Sequence, residues 1–443
     1  MTSDTLIKPW KLPPQKTYIL RNANLIDPVS GTVQANTTVH LSGGLITSVS
    51  TNTSSSAPST ATTTSVDLTG KYISPGLIDA HVHLSAVPGE RDLAKCFGMD
   101  PTVSLTRQPF VCAQMLSRGF TAVRDCGGAT LALKEAVRDN VFPGPRLFIA
   151  GRALSQTGGH ADFRGPHDHT QCCGGHVTGL GVLCDGVAEC VKAAREQLRT
   201  GADFLKIMCG GGVASPTDAL ENTQFLGEEV RAVADVARSY GTWVTAHAYT
   251  PRAIRHAVEN GVEGIEHGNF IDEETAAYMA EKGVWLTPTL IAYDAMASPK
   301  YPGFLPPESE VKNQEVLAQG LRALEIAARA GVTMCYGSDL LGPLGAEQTK
   351  EFGLRAKVLS AKQVLQCATV NPARMLRQEK FLGQVKEGFA ADLLVLNANP
   401  LEDIEVLDRP EKHLLAVIKD GRVYSSRWSQ LEQDVTAAAA IIE

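Results

Sequence analysis

The chain has 443 residues, of which 44% are hydrophobic and 20% are charged, with a formal net charge of -7. This balance excludes a disordered or fibrous protein, and the lack of a long Lys and Arg run argues against a nucleic-acid partner. No window forms a signal peptide or approaches the roughly 20 apolar residues of a membrane span, so the sequence predicts a cytoplasmic protein with a small-molecule partner.

The first segment of the chain, residues 1–71, reads as an all-β unit. Short β-rich runs alternate there with Gly, Asn and Pro turns, which is typical of a small meander. The Ser/Thr tract STNTSSSAPSTATTTSV lies within this segment and has little to bury, so we expect a surface loop between two strands.

From Tyr72 onward, short apolar runs alternate with stretches long enough for helices. Eight runs predict strands: GLIDAHVHL, FTAVRDC, RLFIAG, DFLKIMC, WVTAHAY, GIEHG, WLTPTL and TMCYGSD. The helical patterns between them include DGVAECVKAAREQLRTGA, GEEVRAVADVARSYG and PRAIRHAVENG, which end near a Gly. This alternation predicts an α/β fold with a closed (β/α)8 TIM-like barrel over residues 72–382, and an open doubly wound sheet is the alternative.

The end of the chain returns to β structure. SAKQVLQCATVNPARML predicts a closing helix, and residues 383–443 then contain short strands. We expect these strands to pair with residues 1–71 in a small β-sandwich domain built from both chain ends. The ten cysteines lack framework spacing, so we expect most of them to be reduced thiols.

The strongest local signal is SPGLIDAHVH, which contains His81 and His83. Side chains in a strand repeat every two residues, so both imidazoles face the same side, here the barrel interior. Two converging imidazoles are a natural metal pair. Taken alone, however, a His-x-His pattern fits an ordinary polar pair at a barrel mouth equally well.

Three further residues strengthen the metal interpretation. His247, His267 and Asp339 each lie at the C-terminal end of a predicted strand, the face on which barrel active sites form. In a closed barrel the eighth strand neighbours the first, so we expect Asp339 to lie beside His81 and His83. Four imidazoles and a carboxylate on one rim predict a site for divalent zinc, nickel or a similar ion.

Lys206 in DFLKIMC shares a strand face with Phe204 and Met208, which directs its side chain inward into apolar surroundings. Burial lowers the pKa of an amine, and a neutral amine can react with carbon dioxide to form an anionic carbamate with two oxygens. Such a group can bridge two metals. The competing interpretation is a lysine that neutralises a carboxylate at the barrel mouth.

These motifs resemble the amidohydrolase superfamily, in the imidazolonepropionase-related branch that includes Xaa-Pro-type dipeptidases and fungal ochratoxinase. The resemblance extends from the leading β segment through PGLIDAHVH and ALSQTGGH to GQVKEGFAADLLVLNANPLEDI. It implies two divalent metal ions, most simply zinc, and a homo-oligomer. It further implies that His81, His83 and Asp339 bind the buried metal, that His247 and His267 bind the exposed metal, and that the Lys206 carbamate bridges the two.

The expected reaction is hydrolysis of a small-molecule amide, such as a dipeptide, an N-acyl amino acid or an ochratoxin-like compound. A hydroxide held between the metals attacks the carbonyl, while Asp339 accepts a proton and passes it to the leaving nitrogen. The alternatives are an imidazolonepropionase-like cyclic amidase, a deaminase and a non-catalytic amidohydrolase-like scaffold. A deaminase usually needs a Glu shortly after the strand-five His, but Ala248, Tyr249 and Thr250 follow His247.

Two residues near the expected metals are candidates for substrate contact. Tyr249 lies two residues beyond His247 and can donate to a developing oxyanion, or it is a Tyr packed at the rim. His160, which follows a Gly pair, resembles a position that contacts substrate in related hydrolases, and loop hydrogen bonding is the alternative.

His160 belongs to a Gly-rich segment that we interpret as a lid over the substrate. The same segment contains further histidines and cysteines: His167, His169, His176, Cys172, Cys173 and Cys184. Their spacing matches no standard zinc module, so a separate structural zinc site is the weaker interpretation. Arg152 and Arg164 flank the lid and could hold a substrate carboxylate, although solvated loop arginines are commoner.

Overall fold

The structure is a computed structural model that describes residues 7–51, 63–165, 167–168 and 179–435. Most of the Ser/Thr tract, as well as His169, His176, Cys172 and Cys173 of the lid, lies outside these residues. The described residues comprise one sheet made from both chain ends, two parallel sheets, and helices between the parallel strands.

Both ends of the chain contribute to an eight-stranded sheet. Its strands are β1 (Thr17–Asp27), β2 (Thr32–Ser42), β3 (Leu45–Ser50), β4 (Thr63–Asp67), β5 (Tyr72–Pro75), β15 (Leu393–Leu396), β16 (Leu414–Lys419) and β17 (Arg422–Ser426). Their order is β17-β16-β15-β5-β1-β2-β3, with β4 also paired to β1. The expected pairing of the two ends is therefore present, and it joins β5 to β15 in antiparallel register.

The central part of the chain forms two parallel sheets. The three-stranded sheet contains β6 (Leu77–Val82), β7 (Phe120–Asp125) and β8 (Arg146–Ile149). The six-stranded sheet, in the order β10-β9-β11-β12-β13-β14, contains β9 (Ala153–Ser155), β10 (Gly181–Leu183), β11 (Leu205–Met208), β12 (Val244–Ala248), β13 (Gly264–His267) and β14 (Trp285–Thr287). This mixed α/β content fits an amidohydrolase barrel with a separate β domain.

Helices connect many of these strands. The longer ones are α2 (Pro101–Ser117), α3 (Leu131–Arg138), α4 (Gly186–Arg199), α5 (Gly227–Ser239), α6 (Pro251–Glu259), α7 (Glu273–Lys282), α8 (Leu290–Ala297) and α9 (Pro307–Ala330). The shorter ones are α1 (Leu93–Phe97), α10 (Glu351–Ala356), α11 (Ala361–Cys367), α12 (Val370–Met375) and α13 (Pro410–His413), with 3-10 turns at Gly342–Lys350 and Ile404–Val406. The three helices predicted from their sequence patterns are α4, α5 and α6, and each is followed by a Gly with positive φ, as a helix terminus favours.

Two predicted elements differ in the structure. The closing helix is divided into α11 and α12, because Pro372 has no N–H to continue the helical bonds, and Thr369 instead donates through its hydroxyl to Leu365 O at 2.6 Å. The segment TMCYGSD forms no strand ladder but a single bridge between Leu286 and Met334. It nevertheless hydrogen-bonds to β14 on one side and to β6 on the other. Cys335 N donates to Leu286 O, and Ala80 N donates to Tyr336 O, each at 2.8 Å.

All seven predicted barrel strands that form ladders are largely buried, so their side chains supply the core on both faces. The eight cysteines in the described part of the chain are all buried and unbridged, as predicted for most of them. No helix of the described residues is long and apolar enough to cross a membrane.

Candidate metal centre and active site

One cavity collects side chains from β6, β11, β12 and β13 and from the segments that follow them. Every residue that we predicted as a metal ligand lines it. Its polar lining consists of His81, His83, His160, Lys206, His247, Tyr249, His267, Tyr293 and Asp339. The structure therefore brings together all the predicted site residues, while their roles as ligands stay a prediction.

Asp339 lies beside the two histidines of the first strand. Its Oδ1 is 3.4 Å from His81 Nε2 and 3.2 Å from His83 Nε2. Ligand atoms of His81, His267 and Asp339 all lie within 4.8 Å of one another. The ring of His267 is in turn 4.6 Å from that of His247, centroid to centroid. These separations suit ligands that share one or two ions.

Each of the four histidines has one ring nitrogen engaged by a protein group outside the predicted ligand set. Their contacts are His81 Nδ1 with Glu266 Oε2 at 2.8 Å, His83 Nδ1 with Gly127 O at 2.9 Å, His247 Nε2 with Gly211 O at 3.0 Å, and His267 Nδ1 with Thr289 Oγ1 at 2.7 Å. A metal-binding histidine usually donates its other N–H in this way, which fixes the tautomer and the ring orientation. The opposite nitrogen of each ring is left for a ligand role.

Burial keeps most of these imidazoles neutral. It lowers the pKa of His81 to about 4 and holds the pKa of His247 and of His267 well below the usual value. Burial also opposes ionisation of Asp339, but His81 and His83 outweigh it and lower its pKa to about 2. Neutral imidazoles beside an ionised carboxylate have the protonation that divalent cations require of their ligands.

Lys206 is 1% exposed, and its Nζ has no hydrogen-bond partner among the described residues. Burial lowers the pKa of this amine. An unpartnered buried ammonium is costly, so the competing interpretation of a lysine paired with a carboxylate lacks the contact that it needs. A buried amine with a lowered pKa that lines the cavity together with the imidazoles fits both a metal centre and carbamate formation.

The surroundings of Lys206 are more polar than expected. Although the buried Phe204 lies two residues before it, the charges of Glu266, Arg124 and Asp339 all act on the amine. Glu266 is fully buried and accepts two hydrogen bonds from Arg124 Nη2 at 2.6 and 2.7 Å. The charge of Arg124 lowers the pKa of Lys206, and the charge of Asp339 raises it. The lysine therefore occupies a buried and charged environment.

Sequence reasoning missed Glu266 and Arg124. Glu266 precedes His267 in GIEHG, and strand alternation would place the two side chains on opposite faces. In the structure Glu266 contacts the Nδ1 side of His81 behind the cavity, whereas His267, with a φ of 75°, lines the cavity. A charged residue within each of two apolar strands was the available signal for this buried pair.

His160 stacks on His247 with ring centroids 4.0 Å apart. Its Nδ1 lies 2.7 Å from Ser215 Oγ, whose hydroxyl donates to Asp218. Gly212 packs against the same ring, since a Cβ there would lie 1.9 Å from His160 Cε1. The glycine-rich loop after β11 thus leaves room for His160.

Residues of the Gly-rich lid and its flanks have protein partners in the structure. Cys184 is buried and near Cys190, and His160 is engaged by Ser215, so these two do not form a joint metal site among the described residues. Arg164 donates two hydrogen bonds to Asp162, from Nε to Oδ1 at 2.7 Å and from Nη2 to Oδ2 at 2.6 Å. No arginine is among the described residues that line the cavity.

Known proteins similar to this chain include amide and peptide hydrolases. Ochratoxinase of Aspergillus niger is 32% identical over 363 residues, covering 79% of this chain and 75% of that protein. A crystal structure of a prolidase complexed with N-methylphosphonate-L-proline has a TM-score of 0.88 and 39% identity, and covers 93% of this chain and all of the other. A Xaa-Pro dipeptidase structure with bound methionine has a TM-score of 0.82 and 30% identity over 93% of this chain and all of that one. Residues 72–424 match the amidohydrolase family, and the chain belongs to it.

Proposed function

We propose that the chain is a binuclear metal-dependent amidohydrolase that cleaves an amide bond in a small molecule. The single observation that carries this proposal is the convergence of four oriented imidazoles, one carboxylate and an unpartnered lysine amine on one cavity. Membership in the amidohydrolase family and similarity to ochratoxinase and prolidases support a hydrolase of carbon–nitrogen bonds.

The donor set fits two divalent cations, most simply zinc. His81, His83 and Asp339 would hold one ion, His247 and His267 the other, and Lys206 as a carbamate would bridge them. When bound, such ions supply a water molecule with a lowered pKa and polarise the substrate carbonyl. The remaining chemistry belongs to the side chains.

Asp339 is the proton carrier in this proposal. Its pKa of about 2 keeps it ionised at neutral pH, so it can accept the proton of the attacking water. As the C–N bond breaks, Asp339 returns that proton to the nitrogen, which could not leave as an anion. Tyr249 lines the same cavity and would donate to the carbonyl oxygen as negative charge develops there.

The substrate that we propose is a dipeptide, an N-acyl amino acid or an ochratoxin-like amide. Similarity to ochratoxinase, to a prolidase and to a Xaa-Pro dipeptidase supports this range. The cavity wall around the polar centre is mostly apolar in the described residues: Phe97, Phe163, Leu180, Val213, Met296 and Leu341. An apolar group next to the amide therefore suits this cavity better than a charged one.

We also propose how the sheets close and how the chain divides into domains. We expect the two parallel sheets to close into one (β/α)8 barrel, supported by bonds from Asp203 N to Ile149 O at 2.7 Å and from Ala80 N to Tyr336 O at 2.8 Å. We also propose the domain division 1–71, 72–382 and 383–443, a homo-oligomer and a cytoplasmic location.

The experiment is a substrate screen of protein with measured metal content. Xaa-Pro, Xaa-Phe and Xaa-basic dipeptides, N-acyl amino acids and ochratoxin would be incubated with enzyme that holds two zinc ions per chain. We expect cleavage of at least one apolar amide, loss of activity with a chelator and recovery with zinc. Fully active protein with one metal would contradict the binuclear centre, and two-metal protein that cleaves none of the panel would contradict the amide substrate.

A further inference from the structure

Tyr249 lies at the end of a chain of hydrogen bonds that begins at the metal centre. His267 Nδ1 lies 2.7 Å from Thr289 Oγ1, and the Thr289 side chain lies close enough to the Tyr293 hydroxyl to act on its pKa. The Tyr293 hydroxyl lies 2.9 Å from that of Tyr249. None of the four side chains is more than 3% exposed, so bulk water does not compete for these bonds.

The histidine sets the direction of this chain. Because Nδ1 of His267 contacts Thr289, Nε2 is the nitrogen left for a metal, and Nδ1 then carries the proton and donates to the threonine. A hydroxyl has one proton, so Thr289 passes its own to the Tyr293 oxygen. Tyr293 in turn donates to Tyr249, its acceptor among the described contacts.

Tyr249 has a second neighbour that can donate to its oxygen. Its oxygen also lies near the backbone N–H of Val213, a second donor. Donors from Tyr293 and Val213 together occupy both lone pairs of a phenolic oxygen. The proton of Tyr249 is then left without a described protein acceptor and faces the cavity that its side chain lines.

We infer that Thr289 and Tyr293 are positioning residues that hold Tyr249 as a fixed donor to the carbonyl oxygen of the substrate. This inference rests on the proposed amide hydrolysis. A donor oriented in advance stabilises the charge that grows on that oxygen in the transition state and needs no reorganisation at that moment. Without Tyr293, the Tyr249 hydroxyl keeps its position but can rotate its proton away from the substrate.

The test is a double-mutant cycle with Tyr249→Phe, Tyr293→Phe and the double variant. Tyr249→Phe should lower kcat by about 10²-fold or more, as loss of one oxyanion donor does. Tyr293→Phe should lower kcat by roughly tenfold and leave KM within about twofold. Because Tyr293 acts only through Tyr249, the double variant should match Tyr249→Phe alone. Tyr301→Phe, which removes a hydroxyl bonded to Glu347 outside the cavity, is the matched control and should keep wild-type kinetics.

A second measurement separates this inference from the proposed function. The dissociation constant of a phosphonate analogue of the best substrate, measured by calorimetry on two-metal protein, should rise in Tyr293→Phe by the same factor as kcat falls. Wild-type protein that cleaves no amide contradicts the proposed function and, with it, the oxyanion role. Active wild-type protein whose Tyr293→Phe variant keeps full kcat, or whose double variant shows multiplied losses, overturns the inference alone.

Discussion

Nδ1 of His81 lies 2.8 Å from Oε2 of Glu266, and neither side chain is more than 1% exposed. Arg124 donates to both carboxylate oxygens and, with Lys206, outweighs burial to hold the pKa of Glu266 well below its usual range. An ionised acceptor at Nδ1 keeps that proton in place and leaves Nε2 facing Asp339. Glu266 therefore orients a proposed ligand without lining the cavity among the described residues.

The first prediction tests this orientation with Glu266→Gln. Zinc affinity should fall by roughly 10–100-fold, as loss of a partner to a metal-binding histidine typically costs, because an amide can present the wrong group to His81. Competition with a chelator of known affinity measures it. Glu351→Gln is the matched control, since Glu351 is also fully buried against an arginine, Arg355, and should retain zinc affinity. Equal losses in both variants would assign the effect to general destabilisation.

The second prediction concerns Lys206. Lys206→Ala should lose both metals and all activity, since two cations would face each other without an anionic bridge. Lys206→Glu should recover part of the metal binding, though its shorter reach should misplace the ions and keep kcat low. Elemental analysis and kinetics measure both. Wild-type reconstitution with zinc should also require bicarbonate, and full activity in Lys206→Ala would exclude the bridging role.

The third prediction concerns Asp339→Asn, which keeps size and an oxygen but cannot accept and return a proton. We expect kcat to fall by about 10²–10⁴-fold, while metal content falls much less. The loss should be smaller on an activated anilide or ester, whose leaving group needs little proton assistance. If the variant holds both metals and hydrolyses an ordinary amide at the wild-type rate, the proton carrier must be another residue, such as His160.

The fourth prediction is a pH dependence of stability that arises away from the site. Burial raises the pKa of Glu351 to about 7 from its usual 4.5, despite the bond from Arg355 Nε at 2.6 Å. Between these values the folded state binds more protons than the unfolded state, so the contribution to the free energy of unfolding is full below pH 4.5 and falls as pH rises towards 7. One such group contributes a slope of at most about 1.4 kcal/mol per pH unit.

Urea unfolding of wild-type and Glu351→Gln protein at several pH values checks this sign. The difference in unfolding free energy between the two proteins should change in favour of the variant as pH rises from 4.5 to 7. A difference that does not depend on pH would show that Glu351 is ionised throughout, held by Arg355.

The sequence was sufficient for features that repeat along the chain. Strand runs such as GIEHG, amphipathic helices such as Pro251–Glu259 and the two-residue spacing of His81 and His83 all rest on local periodicity, and the structure contains each of them. Pairing of the chain ends could also be expected, since each end carries strands that need partners.

What the sequence did not show depends on backbone angles and on distant contacts. His267 and Asp339 have φ values of 75° and 49°, which no strand pattern predicts for residues other than Gly. The strands Ala153–Ser155 and Gly181–Leu183 are too short for a periodic signal. The bonds of Glu266 with Arg124 and of Tyr249 with Tyr293 join residues 142 and 44 positions apart, and only the fold brings them together.

The pairing of β5 with β15 has a consequence for how the protein matures. Strand β5 leads directly into the strand that carries His81, and its partner Leu393–Leu396 lies more than 300 positions later in the chain. Gly76 N also donates to Asp392 O at 2.8 Å. The ribosome makes the N-terminal part first. The backbone of β5 and Gly76, which leads into the strand with His81, therefore gains all its partners only after β15 has been made. Stable metal binding at the proposed centre is therefore expected only after Leu393–Leu396 has been made and has paired with β5.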